Sequence, residues 1–203
     1  MTGHLMAGGV RLFTGAQARW LGCGPASERP RIYFANHVSN LDFVLIWSAL
    51  PRDIRRRTRP AAAHDYWSAS PLRRRIAEGW FNAVLIERQK VTRENNPIDT
   101  LAAVLRGGES IIIFPEGTRN PDPAAPMGAF KPGLHHLVQR CPEAELVPVY
   151  LQNLNRVLPK GEWLPVPMLC SVSFGAPLER IEAETKPEFL ARARGAVASL
   201  MPE

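Results

Sequence analysis

The sequence predicts one α/β domain: a single mixed, mostly parallel sheet flanked by helices, with a short helical segment at the N-terminus. Three observations predict it. Short apolar runs of strand length (Ile32–Ala35, Ile111–Phe114, Leu146–Leu151) alternate with longer segments that carry helix-start and helix-stop residues. No repeat and no long linker divides the 203 residues, and a chain of this size buries ~70% of its unfolded surface in one core. Two of the strand-like runs also end in turns rich in polar, reactive side chains.

Residues 1–25 are assigned to the N-terminal helical segment and 26–203 to the domain. Between positions 4 and 21, Leu5, Leu12, Phe13, Trp20 and Leu21 stand among small and basic residues. That pattern fits a helix lying in a membrane interface and equally one packed on the domain, while Gly8-Gly9 and Gly15 weaken both. Arg11 and Arg19 interrupt the apolar residues, so the stretch does not read as a signal peptide. Pro30–Leu50 reads as strand, turn and helix, stopped by Pro51. A basic connection follows at 52–60, and Ala61-Ala62-Ala63 begins the next buried strand.

Ser70-Pro71 opens a short helix carrying Arg73-Arg74-Arg75, and Phe81–Ile86 is expected to be a strand that ends at Arg88. Asn96 suits an N-cap and Pro97 the first turn of the next helix, with Leu101, Val104 and Leu105 on one face and Gly107 as its stop. After the strand Ile111–Phe114, the proline-rich stretch 120–126 is expected to be a mobile rim. Pro132-Gly133 opens a helix through Cys141. Its adjacent His135 and His136 point to different faces, which argues against a paired metal site, and no metal is expected. Leu146–Leu151 is a strand whose Pro148 suggests an edge or a site-lining position. Leu169–Phe174 is the last strand, and Glu188–Met201 closes the chain as an amphipathic helix.

The formal net charge is +6. Residues 52–90 hold ten basic side chains against four acids, and the remaining chain is balanced at fifteen of each sign, so the whole excess sits in one segment. An anionic substrate, an anionic lipid surface or nucleic acid explains such a segment. Nucleic acid is the weakest of these, because few aromatics interleave with the arginines and no docking motif is present. Neither the apolar run from Phe43, ended at Pro51, nor the uncharged run Trp163–Leu178, broken by three prolines, reads as a membrane-spanning helix. Cys23, Cys141 and Cys170 are odd in number and lack metal-ligand spacing, which suits reduced thiols in the cytosol.

Chemistry concentrates in two turns. After Ile32–Ala35 comes Asn36-His37-Val38-Ser39-Asn40-Leu41-Asp42. An imidazole next to a carboxylate can take a proton from an alcohol as that alcohol attacks a carbonyl. Ser39-x-x-Asp42 is also a capping box, which accounts for Asp42 through ~1 kcal/mol of helix stability alone. On the residues both readings stand, and they are compatible. Ser39 itself reads as a cap rather than a nucleophile, since no Gly-x-Ser-x-Gly elbow surrounds it. His64-Asp65 offers a second acid/base pair, but nothing near it in the sequence completes a site. The second turn is Phe114-Pro115-Glu116-Gly117-Thr118-Arg119, where glycine lets the backbone come close to an anion and arginine offers a planar fork for phosphate.

His37-x4-Asp42 followed by Phe114-Pro115-Glu116-Gly117-Thr118-Arg119 resembles the glycerolipid acyltransferase family typified by 1-acylglycerol-3-phosphate acyltransferases. Val84–Arg88, Phe130-Lys131-Pro132-Gly133 and Leu146–Val149 are similar to further blocks of that family, in order, so the likeness spans roughly residues 31–178. It implies transfer of a fatty acyl group from acyl-CoA or acyl carrier protein to a lysophospholipid hydroxyl, with no other cofactor. Phosphatidic acid would be the product.

In that scheme His37 is the base and Asp42 holds its other ring nitrogen. Arg119 binds the acceptor's phosphate, helped by Arg88 and the turn Glu116-Gly117-Thr118. Glu116 is expected to accept from an acceptor hydroxyl or to brace Arg119, because a carboxylate is awkward beside a phosphate. Lys131 serves the same anion or the donor's phosphates, or is simply solvated. Asn120 stands where the family often has serine, and the family's N-terminal hydrophobic anchor is reduced to a short stretch, which leaves the mode of membrane attachment open. The expected setting is peripheral, on an anionic membrane surface at its cytoplasmic face. Rival readings are the same chemistry on glycerol-3-phosphate, a lyso-ornithine lipid or another lysophospholipid, a nucleic-acid-binding module, and a non-catalytic lipid-binding relative.

Overall fold

Strands that are apolar on both sides form the middle of a sheet with helices packed on each face. The computed structural model describes residues 17–39, 42–88, 91–92, 95–119, 127–152 and 170–202. Residues 1–16, the expected rim at 120–126, and 153–169 lie outside the described residues, as does Lys90. The strands are β1 (Gln17–Trp20), β2 (Arg31–Ala35), β3 (Thr58–Ala63), β4 (Val84–Ile86), β5 (Ser110–Ile113), β6 (Glu145–Gln152) and β7 (Ser171–Phe174). They form one seven-stranded sheet in the order β1-β7-β6-β2-β5-β3-β4. From β6 to β4 every pairing is parallel; β7 runs antiparallel to β6, and β1 is parallel to β7. The sheet is therefore mixed and mostly parallel, as the sequence predicts.

Among the described residues the helices are α1 (Asp42–Ala49), α2 (Arg52–Arg56), α3 (His64–Trp67), α4 (Pro71–Phe81), α5 (Pro97–Arg106), α6 (Gly133–Arg140) and α7 (Lys186–Ala198). The period of two in the strands sorts the core into two layers. Tyr33, Ala35, Ile112, Val147, Val149, Val172 and Phe174 meet α1 and α4 on one face. Ile32, Phe34, Ile111, Ile113 and Leu146 meet α5, α6 and α7 on the other. Every residue of α1 is buried, which suits a helix apolar all round. The expected caps form: Ser70 accepts from the Arg73 N–H at 3.2 Å, and Asn96 accepts from Ile98 at 2.9 Å. No helix among the described residues is long and apolar enough to cross a membrane.

Several expectations need correction. Residues 17–20, placed in the helical segment, form β1, and Trp20 stacks on Phe174 with ring centroids 4.0 Å apart. Phe81 does not open a strand. It ends α4, where Asn82 turns left-handed (φ 52°) and leaves only Val84–Ile86 for β4. The connection at 52–60 is part helix and part strand, since α2 and the first half of β3 lie within it.

Pro148 sits in an interior strand, not an edge. Its carbonyl accepts from the Gly175 N–H at 2.9 Å, so its missing donor also points toward the β7 side, just past the last residue of β7. The ladder to β2 loses no bond there.

At the start of α7, where Thr185 and Glu188 form a capping box, Arg192 donates to both oxygens of Glu184 at 2.7 Å. The Arg192 hydrogen bond holds the Glu184 carboxyl below the usual glutamate range. A depressed folded value means that the pair stabilises fully above the unfolded glutamate pKa of ~4.3 and loses its effect as pH falls through the folded value. Glu184→Gln is expected to cost about 0.5 kcal/mol at neutral pH, discounted for solvent. Urea unfolding at neutral pH and in acid checks this: the difference from the unaltered protein should vanish in acid.

Candidate active site

Parallel pairing brings the two reactive turns together. In β2 and β5, Ile32 pairs with Ile111, Tyr33 with Ile112 and Phe34 with Ile113, so both chains leave the sheet side by side at their carboxyl ends. Crevices at the carboxyl ends of parallel strands are the usual binding sites of such sheets. The His37 ring stacks on Phe114, centroids 4.5 Å apart and planes at 21°, so residues from the two turns are in direct contact.

Asp42 is fully buried at the first turn of α1. Its Oδ2 lies 2.7 Å from His37 Nδ1 and accepts the Val38 N–H at 2.7 Å, while the Ser39 N–H reaches both carboxylate oxygens at 3.0 and 2.9 Å. Burial pushes the Asp42 carboxyl up from the ordinary carboxylate range, and the His37 ring and the Ser39 and Val38 amides pull against it. The reach back to Ser39 N–H is one half of the capping box, so Asp42 serves helix and imidazole together. A carboxylate on Nδ1 selects the tautomer whose lone pair is on Nε2. The His37 side chain keeps 17% of its surface exposed, enough for a small group to reach the ring edge.

Three further contacts fix this loop. The Asn36 amide donates to the Leu151 carbonyl at 3.1 Å and accepts its N–H at 2.8 Å, tying the loop to β6. Phe114 supports the ring face. Glu116, only 4% exposed, accepts the His37 N–H on Oε1 and the Gly128 N–H on Oε2, both at 2.7 Å. The Glu116 expectation is thereby corrected: its oxygens brace the His37 backbone, and its burial leaves little access for an acceptor hydroxyl. Sequence reasoning missed Asn36 and Phe114, although a polar side chain ending the apolar run Ile32–Ala35 was a usable signal.

Gly117 is the hub of the second turn. Its φ of +70° favours glycine, and a Cβ there would lie 2.8 Å from Lys131 Nζ. Its N–H donates to the Phe114 carbonyl at 2.9 Å, and Lys131 N–H donates to the Pro115 carbonyl at the same distance. Arg88 donates to the Gly117 carbonyl at 3.0 Å and to both oxygens of Asp65 at 3.0 Å. Arg88 thus shapes the turn first, with its charge offset by Asp65, rather than standing as a ready phosphate ligand. Asp65 is the partner of Arg88, not half of an acid/base pair with His64. Thr118, Arg119 and Lys131 are exposed at this turn. Among the described residues no group of His, Cys, Asp or Glu side chains could hold a metal ion.

A glutamine in place of Glu116 keeps its size but sets an NH₂ group against one of the two backbone donors. Glu116→Gln is expected to lower the unfolding free energy by ~1–3 kcal/mol, the cost of leaving a buried polar group unpaired. Denaturant unfolding measures it, and a loss below about 0.5 kcal/mol would mean that the bridge between loops contributes nothing.

The Acyltransferase family model matches residues 23–152, the segment that holds both turns. Taffazin of Dictyostelium discoideum is 30% identical over 156 residues, 69% of this chain and 50% of that protein. The 1-acyl-sn-glycerol-3-phosphate acyltransferase of Saccharomyces cerevisiae is 27% identical over 157 residues, 73% of this chain and 47% of the yeast protein. The chloroplastic 1-acyl-sn-glycerol-3-phosphate acyltransferase LPAT1 of Arabidopsis thaliana is 25% identical over 141 residues, 68% and 36% of the two chains. This chain therefore spans half or less of the length of these relatives. The crystal structure of the 1-acyl-sn-glycerophosphate acyltransferase PlsC from Thermotoga maritima superposes with a TM-score of 0.72 at 20% identity, covering 98% of this chain and 76% of that one, a likeness of fold. With both turns inside the matched region, the chain belongs to the acyltransferase family.

Proposed function

We propose that this protein is an O-acyltransferase that moves a fatty acyl group from a thioester, acyl-CoA or acyl carrier protein, to the free hydroxyl of 1-acylglycerol-3-phosphate. The observation that carries the reading is the contact of the His37–Asp42 pair with a cation-bearing turn across two adjacent strand ends. Nε2 of His37 takes the hydroxyl proton as the oxygen attacks the thioester carbonyl. A carbon–oxygen bond forms, the carbon–sulfur bond breaks, and the departing thiolate takes the proton from the imidazolium. No acyl-enzyme is needed, because the thioester is already activated.

Arg119 and Lys131, exposed at the Gly117 turn, supply positive charge for the acceptor's phosphate. The likeness to taffazin, whose name carries no 1-acylglycerol-3-phosphate, supports a second reading: the same transfer to another lysophospholipid. Assaying transfer across phosphate-bearing acceptors separates the two. The protein acts peripherally on an anionic membrane surface at the cytoplasmic face, in this reading.

His37→Ala should lower kcat by about 10²–10⁴, the usual contribution of a positioned base. Retention of transfer within about tenfold removes His37 from that role. Arg119→Ala should raise the acceptor KM by about tenfold or more with a smaller change in kcat, since the phosphate is bound in ground and transition states alike. An unchanged acceptor KM would take Arg119 out of the phosphate site.

A further inference from the structure

Helix α4 carries two apolar stripes where a surface helix needs one. The inward stripe is Ala77 and Phe81, four residues apart; the Phe81 ring meets Phe43 and Trp47 of α1 edge-on, each at 5.2 Å. The second stripe is Leu72, Ile76 and Trp80, again four apart and on a different side of the helix. Leu72 is 68% exposed and Trp80 is 42% exposed, with Ile76 half-buried between them. Tyr66 of α3, exposed by 37%, extends the apolar surface, and the Arg73 guanidinium lies 4.8 Å above its ring.

The charge around this ridge has one sign. Arg73 and Arg75 are exposed beside it. The acid of α4, Glu78, is held by Arg74 at 3.2 Å, and Asp65 of α3 is held by Arg88. Apolar side chains with an indole and a phenol among them, flanked by arginines, match a bilayer interface whose outer layer is phosphate. Position agrees with charge. The Asp65–Arg88–Gly117 chain of contacts sets α3 at the carboxyl edge of the sheet, beside the turn that bears Arg119. A lipid leaving a bilayer beneath α3 and α4 would meet the candidate active site at its rim.

We infer that the ridge of Leu72, Ile76 and Trp80, with Tyr66, Arg73 and Arg75, is the face on which this protein docks to an anionic lipid bilayer. The ridge inserts among headgroups and the arginines meet lipid phosphates. The inference deepens the acyltransferase reading by naming the surface from which the acceptor is drawn, and it is tested without turnover.

The experiment is flotation of the full chain with vesicles of phosphatidylcholine alone or mixed with phosphatidylglycerol. The unaltered protein should float with the anionic vesicles, and added salt should weaken binding. Leu72→Glu alone, at a site exposed enough to leave the fold intact, and Leu72→Glu with Trp80→Glu should each lower the partition coefficient by about tenfold or more. Arg73→Glu with Arg75→Glu should do the same and remove the salt dependence. Binding that falls in these variants supports the face even if no acyl transfer is found with any acceptor, a result that would sink the enzyme reading alone.

Three outcomes overturn the inference. The variants float like the unaltered protein; the unaltered protein binds neither vesicle; or it sediments as a dimer that Leu72→Glu dissolves while vesicle binding is absent, which makes the ridge an interface between copies.

Discussion

The Glu116 carboxylate takes the His37 N–H on one oxygen and the Gly128 N–H on the other, so three segments that leave the core separately are joined at one buried charge. Burying a carboxylate costs several kcal/mol unless donors replace its water. Here two charge-assisted bonds of 2.7 Å do so, and both come from backbone, which cannot rotate away. The constraint reaches further through the segment at Met127–Gly128, whose carbonyls accept from Arg194 of α7 at 3.1 Å. The last helix of the fold is thereby tied to the loop that carries the histidine. Neither turn could be shifted alone without breaking a bond to a buried charge.

For the histidine this means restraint at every level. Asn36 pins the residue before it to β6, Glu116 holds its own N–H, Asp42 holds Nδ1, and Phe114 covers a face of its ring. In the proposed role of base, an imidazole so confined would lose little entropy on meeting a hydroxyl. Asp42 carries the opposite strain. Its burial works against its charge, and the ring and the two amides are what favour the ionised form.

Much of this was legible in the chain. The apolar runs at Ile32–Ala35 and Ile111–Phe114 gave the two strands within a residue, Asn96-Pro97 and Ser70-Pro71 gave helix starts, and the two reactive turns stood out by composition. What stayed hidden depends on partners far away along the chain. Glu116 was visible, yet its partner is a backbone N–H at His37, and no pattern of side chains announces that. Residues 17–20 fit helix and strand alike over four positions, and pairing with β7 decides between them. Pro148 signalled a broken ladder correctly, but only the sheet order shows that the gap faces the end of β7. Phe81 misled because an apolar residue before a strand also ends a helix well when the next residue can turn left-handed, as Asn82 does.

The distribution of charge at the second turn resolves a difficulty that the sequence alone poses. A glutamate next to a glycine and three residues from an arginine should repel a phosphate bound there. Its oxygens are instead directed at two backbone N–H groups on the buried side, whereas Lys131 lies against Gly117 and Arg119 is exposed beyond it. Arg88 adds a further cation, though one whose field is offset by Asp65. The turn therefore has two electrical sides, a negative one facing the protein's own amides and a positive one facing outward. Glycine at position 117 is what allows both, because any larger residue would displace the lysine and strain a backbone at φ +70°. The outward positive side is in this sense a property of the backbone path, with the side chains supplying charge to a shape already set.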